Sequence, residues 1–210
     1  MANREYESKL IDEGFNIIAG TDEAGRGPLA GPLVVTACIL PNNYSNNLIN
    51  DSKQLSAKKR EELYNEIINN ALAYSIIEIP IEVIDEINIY QASKKGMIDA
   101  INALKIKPDA VITDAMKFSI EGIKVLDLIK GDAKSISVAA ASILAKVYRD
   151  RLMEKLDLKY PQYDLKNNKG YGTKSHLLAL EKYGYCEIHR KTYEPIKSMI
   201  NKQLEFDLFK

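Results

Sequence analysis

Short apolar segments rich in β-branched residues alternate with longer amphipathic segments along most of this chain. The apolar segments end near proline, glycine or acidic residues, as buried strands typically do. They cover residues 16–21, 33–40, 74–79, 109–113 and 124–129. The amphipathic periodicity predicts helices over 56–70, 81–104 with a break near Asn88, 133–158, 175–182 and 194–204. This alternation predicts an α/β fold, a mixed β-sheet flanked by helices with a helical C-terminal segment.

The domain organisation follows from length and composition. A chain of 210 residues is long enough to bury a core without disulfides. We predict one domain, with a core over about residues 16–158, a helical C-terminal appendage over about 159–204 and a tail over 205–210. Two well-separated cysteines, Cys38 and Cys186, fit a reducing compartment and exclude a zinc site built from cysteines. Acidic residues near the N-terminus and the lack of a long apolar run lead us to expect a cytoplasmic monomer without membrane contact.

Charge is unevenly distributed along a chain whose formal net charge is zero. Residues 130–202 contain 15 Lys and Arg against 8 Asp and Glu, and the rest of the chain carries the opposite excess. This asymmetry indicates a basic surface beside an acidic one, which suits a nucleic-acid partner. A solvated helical face explains the same charge equally well, so charge alone does not decide between them.

Acidic residues follow three of the predicted strands. Asp22 and Glu23 come after the first strand, Asp114 after the fourth and Asp132 after the fifth. Sites in α/β sheets form where strands end, so neighbouring strands would bring these carboxylates together. Carboxylates about 4 Å apart repel by about 4 kcal/mol at an effective dielectric of 20. A cluster of oxygen ligands without His or Cys selects Mg²⁺ or Mn²⁺, and two such ions can support phosphodiester cleavage.

Each acid also has a simpler interpretation. A single carboxylate at a strand end is usually solvated, and Asp132 could cap the helix that follows it. Neighbouring residues on a regular strand face opposite sides, so Asp22 and Glu23 share a site only if the strand bends. Gly25 and Gly27 make such a bend feasible.

Two glycine-rich segments are candidates for substrate contact. The Gly-Arg-Gly turn at 25–27 would let the backbone approach a sugar or a phosphate closely. Residues 169–174 combine lysines and glycines with Tyr171, which suits stacking next to phosphate contacts, although a turn with this ring packed on the core fits as well. His176 and His189 are the only histidines. We expect them to be polar partners or phosphate contacts, not zinc ligands.

The sequence resembles ribonuclease HII, the bacterial type 2 ribonuclease H, over about residues 17–197. The run from Asp22 to Pro32, DEAGRGPLAGP, is nearly identical to that family's signature. Residues 51–53, 131–132, 142–151, 169–176 and 189–190 are similar to its other blocks. Two positions depart from the family pattern: Ala115 stands where a glycine is expected, and Tyr193 stands where a phenylalanine is usual. We expect the second departure to matter little.

The resemblance implies a ribonuclease H-like fold and endonucleolytic cleavage of RNA in RNA–DNA hybrids. It also implies cutting 5′ to single ribonucleotides embedded in duplex DNA, as in ribonucleotide excision, leaving 3′-hydroxyl and 5′-phosphate ends. Two Mn²⁺ or Mg²⁺ ions would activate water and stabilise the leaving oxygen. The implied catalytic and metal-binding residues are Asp22, Glu23, Asp114 and Asp132. The implied substrate contacts are Gly25, Arg26 and Gly27 to the 2′-hydroxyl, Tyr171 to the neighbouring sugar, and Lys53 and Lys146 to phosphates.

The C-terminal tail loosely resembles peptides that bind bacterial sliding clamps, through Phe206, Leu208 and Phe209. The first glutamine of those peptides is missing from this chain, and a tail folded on its own helix is the alternative.

The main alternative function is a metal-dependent nuclease of the same fold that cuts DNA junctions. Another is a non-catalytic nucleic-acid binder that uses only its basic segment. A nucleotide-binding enzyme is disfavoured because the chain lacks a Gly-Lys-Ser/Thr phosphate loop.

Overall fold

A five-stranded mixed sheet forms the centre of the computed structural model, which describes residues 2–46, 48–49 and 55–208. The strands are β1 (Ile18–Ala24), β2 (Leu33–Ile39), β3 (Ala73–Ile79), β4 (Ala110–Asp114) and β5 (Lys124–Leu128). Their order across the sheet is β3-β2-β1-β4-β5. β1 runs antiparallel to β2 and parallel to β4, which runs parallel to β5. The predicted fold class is confirmed.

Helices account for most of the remaining described residues. They are α1 (Glu5–Asp12), α2 (Ala57–Asn70), α3 (Ile81–Asn102), α4 (Ile136–Lys159), α5 (Leu165–Asn168), α6 (Lys174–Tyr183) and α7 (Ile196–Leu208). The predicted break in α3 is present at Asn88, where φ is 66°. α1 was not predicted. Within the described ranges, no helix combines the length and the apolar character that a bilayer crossing requires.

Contacts divide the chain into two compact units. The first unit consists of Met1–Ala24, Val34–Glu78 and Ser93–Tyr148. The second consists of Gly25–Leu33, Ile79–Ala92 and Arg149–Lys210. The C-terminal residues therefore form a compact unit together with two segments that come much earlier in the chain. The single-domain organisation and its boundaries stay a prediction.

In the first unit, α4 lies very close to the sheet. A Cβ atom on Gly20 of β1 would stand 2.1 Å from the carbonyl carbon of Ser137, so a larger residue has no room there. The Thr36 hydroxyl donates to the carbonyl of Ala141 at 2.7 Å. Residues 139–141 are three fully buried alanines. Their small side chains allow this close approach.

The second unit has an apolar core of its own. Leu29 and Ala30 from the early segment pack with Met153, Leu180 and Ile196 from the C-terminal helices. Two of the early backbone groups are also bonded within this unit, because the Leu29 N–H donates to the Gly170 carbonyl at 2.8 Å and the Gly31 N–H donates to that of Ile188 at 2.9 Å. The segment that follows β1 is therefore fixed by both packing and hydrogen bonds.

Candidate active site

Three carboxylates converge in the first unit. Asp22 lies in β1, Asp114 is the last residue of β4, and Asp132 lies in a 3₁₀ turn before α4. One oxygen of each lies within 4.8 Å of the others. Because β1 and β4 are parallel neighbours, their carboxyl ends meet at one edge of the sheet. The structure thus brings together three of the four acids that the sequence singled out.

Hydrogen bonds orient two of these carboxylates. Asp22 Oδ1 accepts from the N–H of Glu23 at 2.8 Å, and the same side chain bonds with Ser142 of α4. Asp114 Oδ1 accepts from the N–H of Gly131 at 2.8 Å. Sequence reasoning assigned no role to Ser142 or Gly131, although both lie in blocks that resemble the ribonuclease HII family.

Burial and mutual repulsion act on the acid group. Burial raises the pKa of Asp22 well above its usual value, and the charges of Glu23 and Asp114 raise it further. Its hydrogen bonds oppose this shift without cancelling it. Asp132 is also buried, whereas Asp114 is half-buried. Burial and repulsion disfavour the ionised form of these carboxylates, and a bound cation would stabilise that form. Oxygen ligands of this kind suit a hard divalent cation such as Mg²⁺ or Mn²⁺.

Glu23 stands apart from the group of three. The structure extends β1 to Ala24, and Glu23 pairs with Val35 in regular antiparallel register. Glu23 is not among the three acids whose oxygens lie within 4.8 Å of one another, but its charge acts on Asp22 and raises the pKa of that group. The backbone adopts a positive φ of 105° only at Gly25, two residues further on. A role of Glu23 in metal binding stays a prediction.

Buried arginines hold the Gly-Arg-Gly turn from the interior of the second unit. The Arg190 guanidinium donates to the carbonyls of Gly25, Arg26 and Gly31, at 2.6, 2.9 and 3.1 Å. The Tyr193 hydroxyl donates to the Arg26 carbonyl at 2.8 Å. Arg190 is fully buried, whereas Arg26 and the neighbouring Gly27 are exposed. The phenylalanine that is usual at 193 has no hydroxyl to make this bond, so the departure at Tyr193 adds a contact that we did not expect.

Arg149 supports the following part of the same segment. Its guanidinium donates to the carbonyls of Pro32, Ala30 and Lys169, at 3.1, 3.1 and 2.9 Å. Burial and the nearby charge of Arg190 lower the pKa of Arg149 to about 10, so this group stays charged at neutral pH. Sequence reasoning had counted both arginines within a basic surface. No local signal in the sequence shows that they are buried.

Tyr171 presents an exposed ring on a fixed backbone. The ring is 46% exposed, so it is not packed on the core. The Tyr171 carbonyl accepts from Nδ1 of His176 at 2.9 Å. Nε2 of His176 lies 3.1 Å from Nε2 of His189, whose Nδ1 accepts from the Cys186 N–H at 3.1 Å. Both histidines are fully buried, so they are polar partners, and the alternative of phosphate contacts was wrong.

The remaining predicted contacts are described only in part. Lys146 is half-buried on α4. Lys53 lies outside the described residues, as does Phe209 of the tail. The backbone of Phe206 and Leu208 belongs to α7, but their side chains are not among the described groups.

Ala115 shows why the family pattern expects a glycine after Asp114. Its φ of 52° lies in the left-handed region, which residues with a Cβ adopt at a cost of about 1–2 kcal/mol. Its N–H donates to the Leu128 carbonyl at 3.0 Å, which helps to hold this conformation between β4 and β5.

Comparisons with known proteins agree with this fold. A family model described as Ribonuclease HII matches residues 19–195. A ribonuclease HII of Listeria monocytogenes is 52% identical over 203 residues, covering 97% of this chain and 76% of the relative. The solved ribonuclease H2 of Pyrococcus horikoshii has a TM-score of 0.77 at 30% identity, covering 89% of this chain and 98% of that one. A solved PCNA:RNase HII complex from Archaeoglobus fulgidus contains a chain with a TM-score of 0.72 at 29% identity, covering 85% of this chain and 95% of that one.

The mixed sheet, its flanking helices and the acidic group at the ends of β1 and β4 define a metal-dependent ribonuclease with a ribonuclease H-like fold. More particularly, the chain belongs to the ribonuclease HII family. Membership of that family implies endonucleolytic action on the RNA of RNA–DNA hybrids and the use of divalent metal ions.

Proposed function

We propose that this ribonuclease cuts the RNA strand of RNA–DNA hybrids and also cuts 5′ to single ribonucleotides in duplex DNA, leaving 3′-hydroxyl and 5′-phosphate ends. The observation that carries this proposal is the group of Asp22, Asp114 and Asp132, whose oxygens lie within 4.8 Å of one another. Together with Glu23, these acids would hold two Mg²⁺ or Mn²⁺ ions. When bound, such ions generate a nucleophilic hydroxide from water near neutral pH and stabilise the leaving oxygen.

The chain's own residues orient the acids for this task. The Gly131 N–H bond on Asp114 and the Glu23 N–H bond on Asp22 each engage one carboxylate oxygen, Oδ1. An oriented carboxylate gives a cation fixed ligand positions. His176 and His189 are buried among hydrogen-bond partners in the second unit, so neither serves as a general base in this proposal.

Recognition of the ribose is assigned to the second unit. The turn at Gly25, Arg26 and Gly27, of which Arg26 and Gly27 are exposed, would contact the 2′-hydroxyl, and the exposed ring of Tyr171 would stack on the neighbouring sugar. A site built to bind a hydroxyl rejects an analogue without it by roughly 10⁴-fold or more. Lys146 and Lys53 would contact nearby phosphates, and the enzyme would act in the cytoplasm.

The decisive experiment uses duplex DNA that carries one ribonucleotide, with an all-DNA duplex and a ribose-free branched DNA as controls. We expect a single cut 5′ to the ribonucleotide with Mn²⁺ or Mg²⁺ and none with EDTA. Asp22→Asn should abolish cutting yet still bind the duplex. Cutting of branched DNA at a similar rate would favour the DNA-junction nuclease. Turnover by Asp22→Asn would overturn the site assignment.

Tyr171 provides a second test of the same proposal. Tyr171→Ala should lower cleavage at a single embedded ribonucleotide by about 5- to 150-fold, if stacking on the sugar is comparable to the roughly 1–3 kcal/mol that stacking of an aromatic ring on a base contributes. The melting temperature should change little, since the ring is 46% exposed. Unchanged cleavage would remove Tyr171 from the substrate contacts.

We also propose that the tail residues Phe206, Leu208 and Phe209 contact a sliding clamp. The solved complex of an archaeal ribonuclease HII with PCNA supports this partner class. A pull-down with purified bacterial clamp should retain the full chain and lose a chain truncated after Gln203. Equal retention of the two chains would refute the proposal.

A further inference from the structure

The carbonyl groups of Gly25 and Arg26 in the Gly-Arg-Gly turn point toward the buried Arg190 and the half-buried Tyr193. Arg190 and Tyr193 together direct hydrogen bonds at the carbonyls of Gly25 and Arg26, with distances between 2.6 and 2.9 Å. A second bond from Arg190 to the Gly31 carbonyl, at 2.9 Å, links the start of this segment to its far end. All these residues belong to the second unit.

The direction of the carbonyls fixes the direction of the neighbouring N–H groups. In a trans peptide, the C=O of one residue and the N–H of the next point in opposite directions. The Arg26 N–H is therefore directed away from the Arg190 donor that binds the Gly25 carbonyl. The Gly27 N–H is likewise directed away from the donors on the Arg26 carbonyl. Arg26 and Gly27 are exposed, so two successive N–H vectors leave the interior on the outer side of the turn.

A charged donor also strengthens these N–H groups. Hydrogen bonds to a guanidinium polarise the peptide, and polarisation along a chain of hydrogen bonds makes the far N–H a better donor. Arg190 is fully buried, so water does not screen its charge as it would at the surface. Its guanidinium also stacks on the Tyr193 ring, at 5.1 Å from the ring centroid.

We propose that Arg190 and Tyr193 are positioning residues that set the discrimination between ribose and deoxyribose by fixing the N–H direction of the turn. The inference rests on the proposed contact between this turn and the 2′-hydroxyl. It assigns a function to the Tyr193 hydroxyl, which donates to the Arg26 carbonyl. The hydroxyl adds a second donor on the Arg26 carbonyl, so Arg190 is not its sole support.

The test measures Kd for a duplex with one ribonucleotide and for the same duplex with deoxyribose, in the Asp22→Asn background that prevents cutting. Tyr193→Phe keeps the ring and its stacking but removes one hydrogen bond. We expect the ratio of the two Kd values to fall about fivefold, the effect of one ordinary hydrogen bond, with Kd for the all-DNA duplex unchanged. Arg190→Lys keeps the charge but loses the planar set of donors, so the ratio should fall at least tenfold.

Tyr163→Phe is the matched control in the same unit. It removes a hydroxyl that donates to the Gly184 carbonyl at 2.9 Å, away from the turn. We expect a melting temperature similar to that of Tyr193→Phe and a Kd ratio within twofold of the parent protein. Should Arg190→Lys fail to fold, Tyr193→Phe and its control still decide the question. An unchanged ratio in Tyr193→Phe, while the parent protein prefers ribose, overturns this inference alone. No ribose preference in the parent protein overturns the proposed function as well.

Discussion

Replacing Asp114 by Asn should make the metal-free protein more stable while abolishing its activity. Two carboxylate oxygens 4.8 Å apart repel by about 3.5 kcal/mol at an effective dielectric of 20. Asp114 faces two such neighbours, and Asn can still accept the Gly131 N–H through its own oxygen. Partial exposure of Asp114 and the raised pKa of Asp22 both reduce the repulsion. We therefore expect a gain of about 2 kcal/mol in the free energy of unfolding.

The assay is urea denaturation followed by circular dichroism, first in EDTA and then with Mn²⁺. In EDTA the midpoint for Asp114→Asn should exceed that of the parent protein. Mn²⁺ at 100 times its Kd should stabilise the parent protein by about 2.7 kcal/mol, because the ion binds only the folded state. The variant lacks one of the proposed metal ligands, so it should gain much less stability from Mn²⁺.

Asp127→Asn is the control for removing one acid near the end of the sheet. Asp127 lies on β5 with 39% of its side chain exposed, and its carboxylate is 4.0 Å from the Lys117 ammonium. Loss of such a surface pair should change stability by less than about 1 kcal/mol and leave the Mn²⁺ effect intact. If Asp114→Asn is less stable than the parent protein in EDTA, repulsion within the acid group is not the dominant interaction there.

Three further predictions address packing, backbone and pH. Gly20→Ala should cost more than about 3 kcal/mol or prevent folding, because the new Cβ would lie 2.1 Å from the Ser137 backbone; wild-type stability in urea would contradict this contact. Ala115→Gly should raise the free energy of unfolding by about 0.5–1 kcal/mol by relieving the positive φ of 52°, and a lowered urea midpoint would argue against that strain. Burial and the charge of His176 lower the pKa of His189 to about 4 from 6.5. The unfolded chain therefore takes up a proton that the folded chain refuses, so stability is full above pH 6.5 and falls toward pH 4, by at most about 1.4 kcal/mol per pH unit. In His189→Gln, the urea midpoint should depend less on pH between pH 6.5 and 5. An unchanged slope would show that other groups cause the loss of stability at low pH.

The strands and the acids at their ends could be predicted because both depend on local pattern. Buried strands carry continuous apolar runs, and parallel strands collect the residues that follow them at one edge. Asp114 and Asp132 lie where this reasoning expected them. The predicted end of β1, at residue 21, was less accurate. The polar pair Asp22 and Glu23 gives no sign that the pairing with β2 continues to Ala24.

α1 could not be predicted because a polar tertiary contact positions it. Its buried Glu7 accepts from the Ser135 hydroxyl at 2.6 Å and from the Ser137 N–H at 3.0 Å, next to the start of α4. Its apolar residues Tyr6, Leu10 and Ile11 pack against the core, but a helix of eight residues has only about two turns in which such a pattern can repeat. The partners of Glu7 lie about 130 positions away, so no window of local sequence contains them.

The buried arginines were missed for a related reason. Arg149 and Arg190 look like members of a basic surface when the C-terminal residues are considered alone. Most of their hydrogen-bond acceptors are carbonyls in residues 25–32, between 117 and 165 positions earlier in the chain. Backbone carbonyls leave no trace in side-chain composition, so the sequence does not show that these two cations lie in the interior.

The guanidinium groups beneath residues 25–32 give this segment its shape when the protein folds. The loss of conformational entropy therefore belongs to folding and not to association with nucleic acid. If residues 25–32 contact the ribose as proposed, flanking RNA is not needed to order them. The proposed selection for ribose should then be as strict at an isolated sugar as within a long RNA strand.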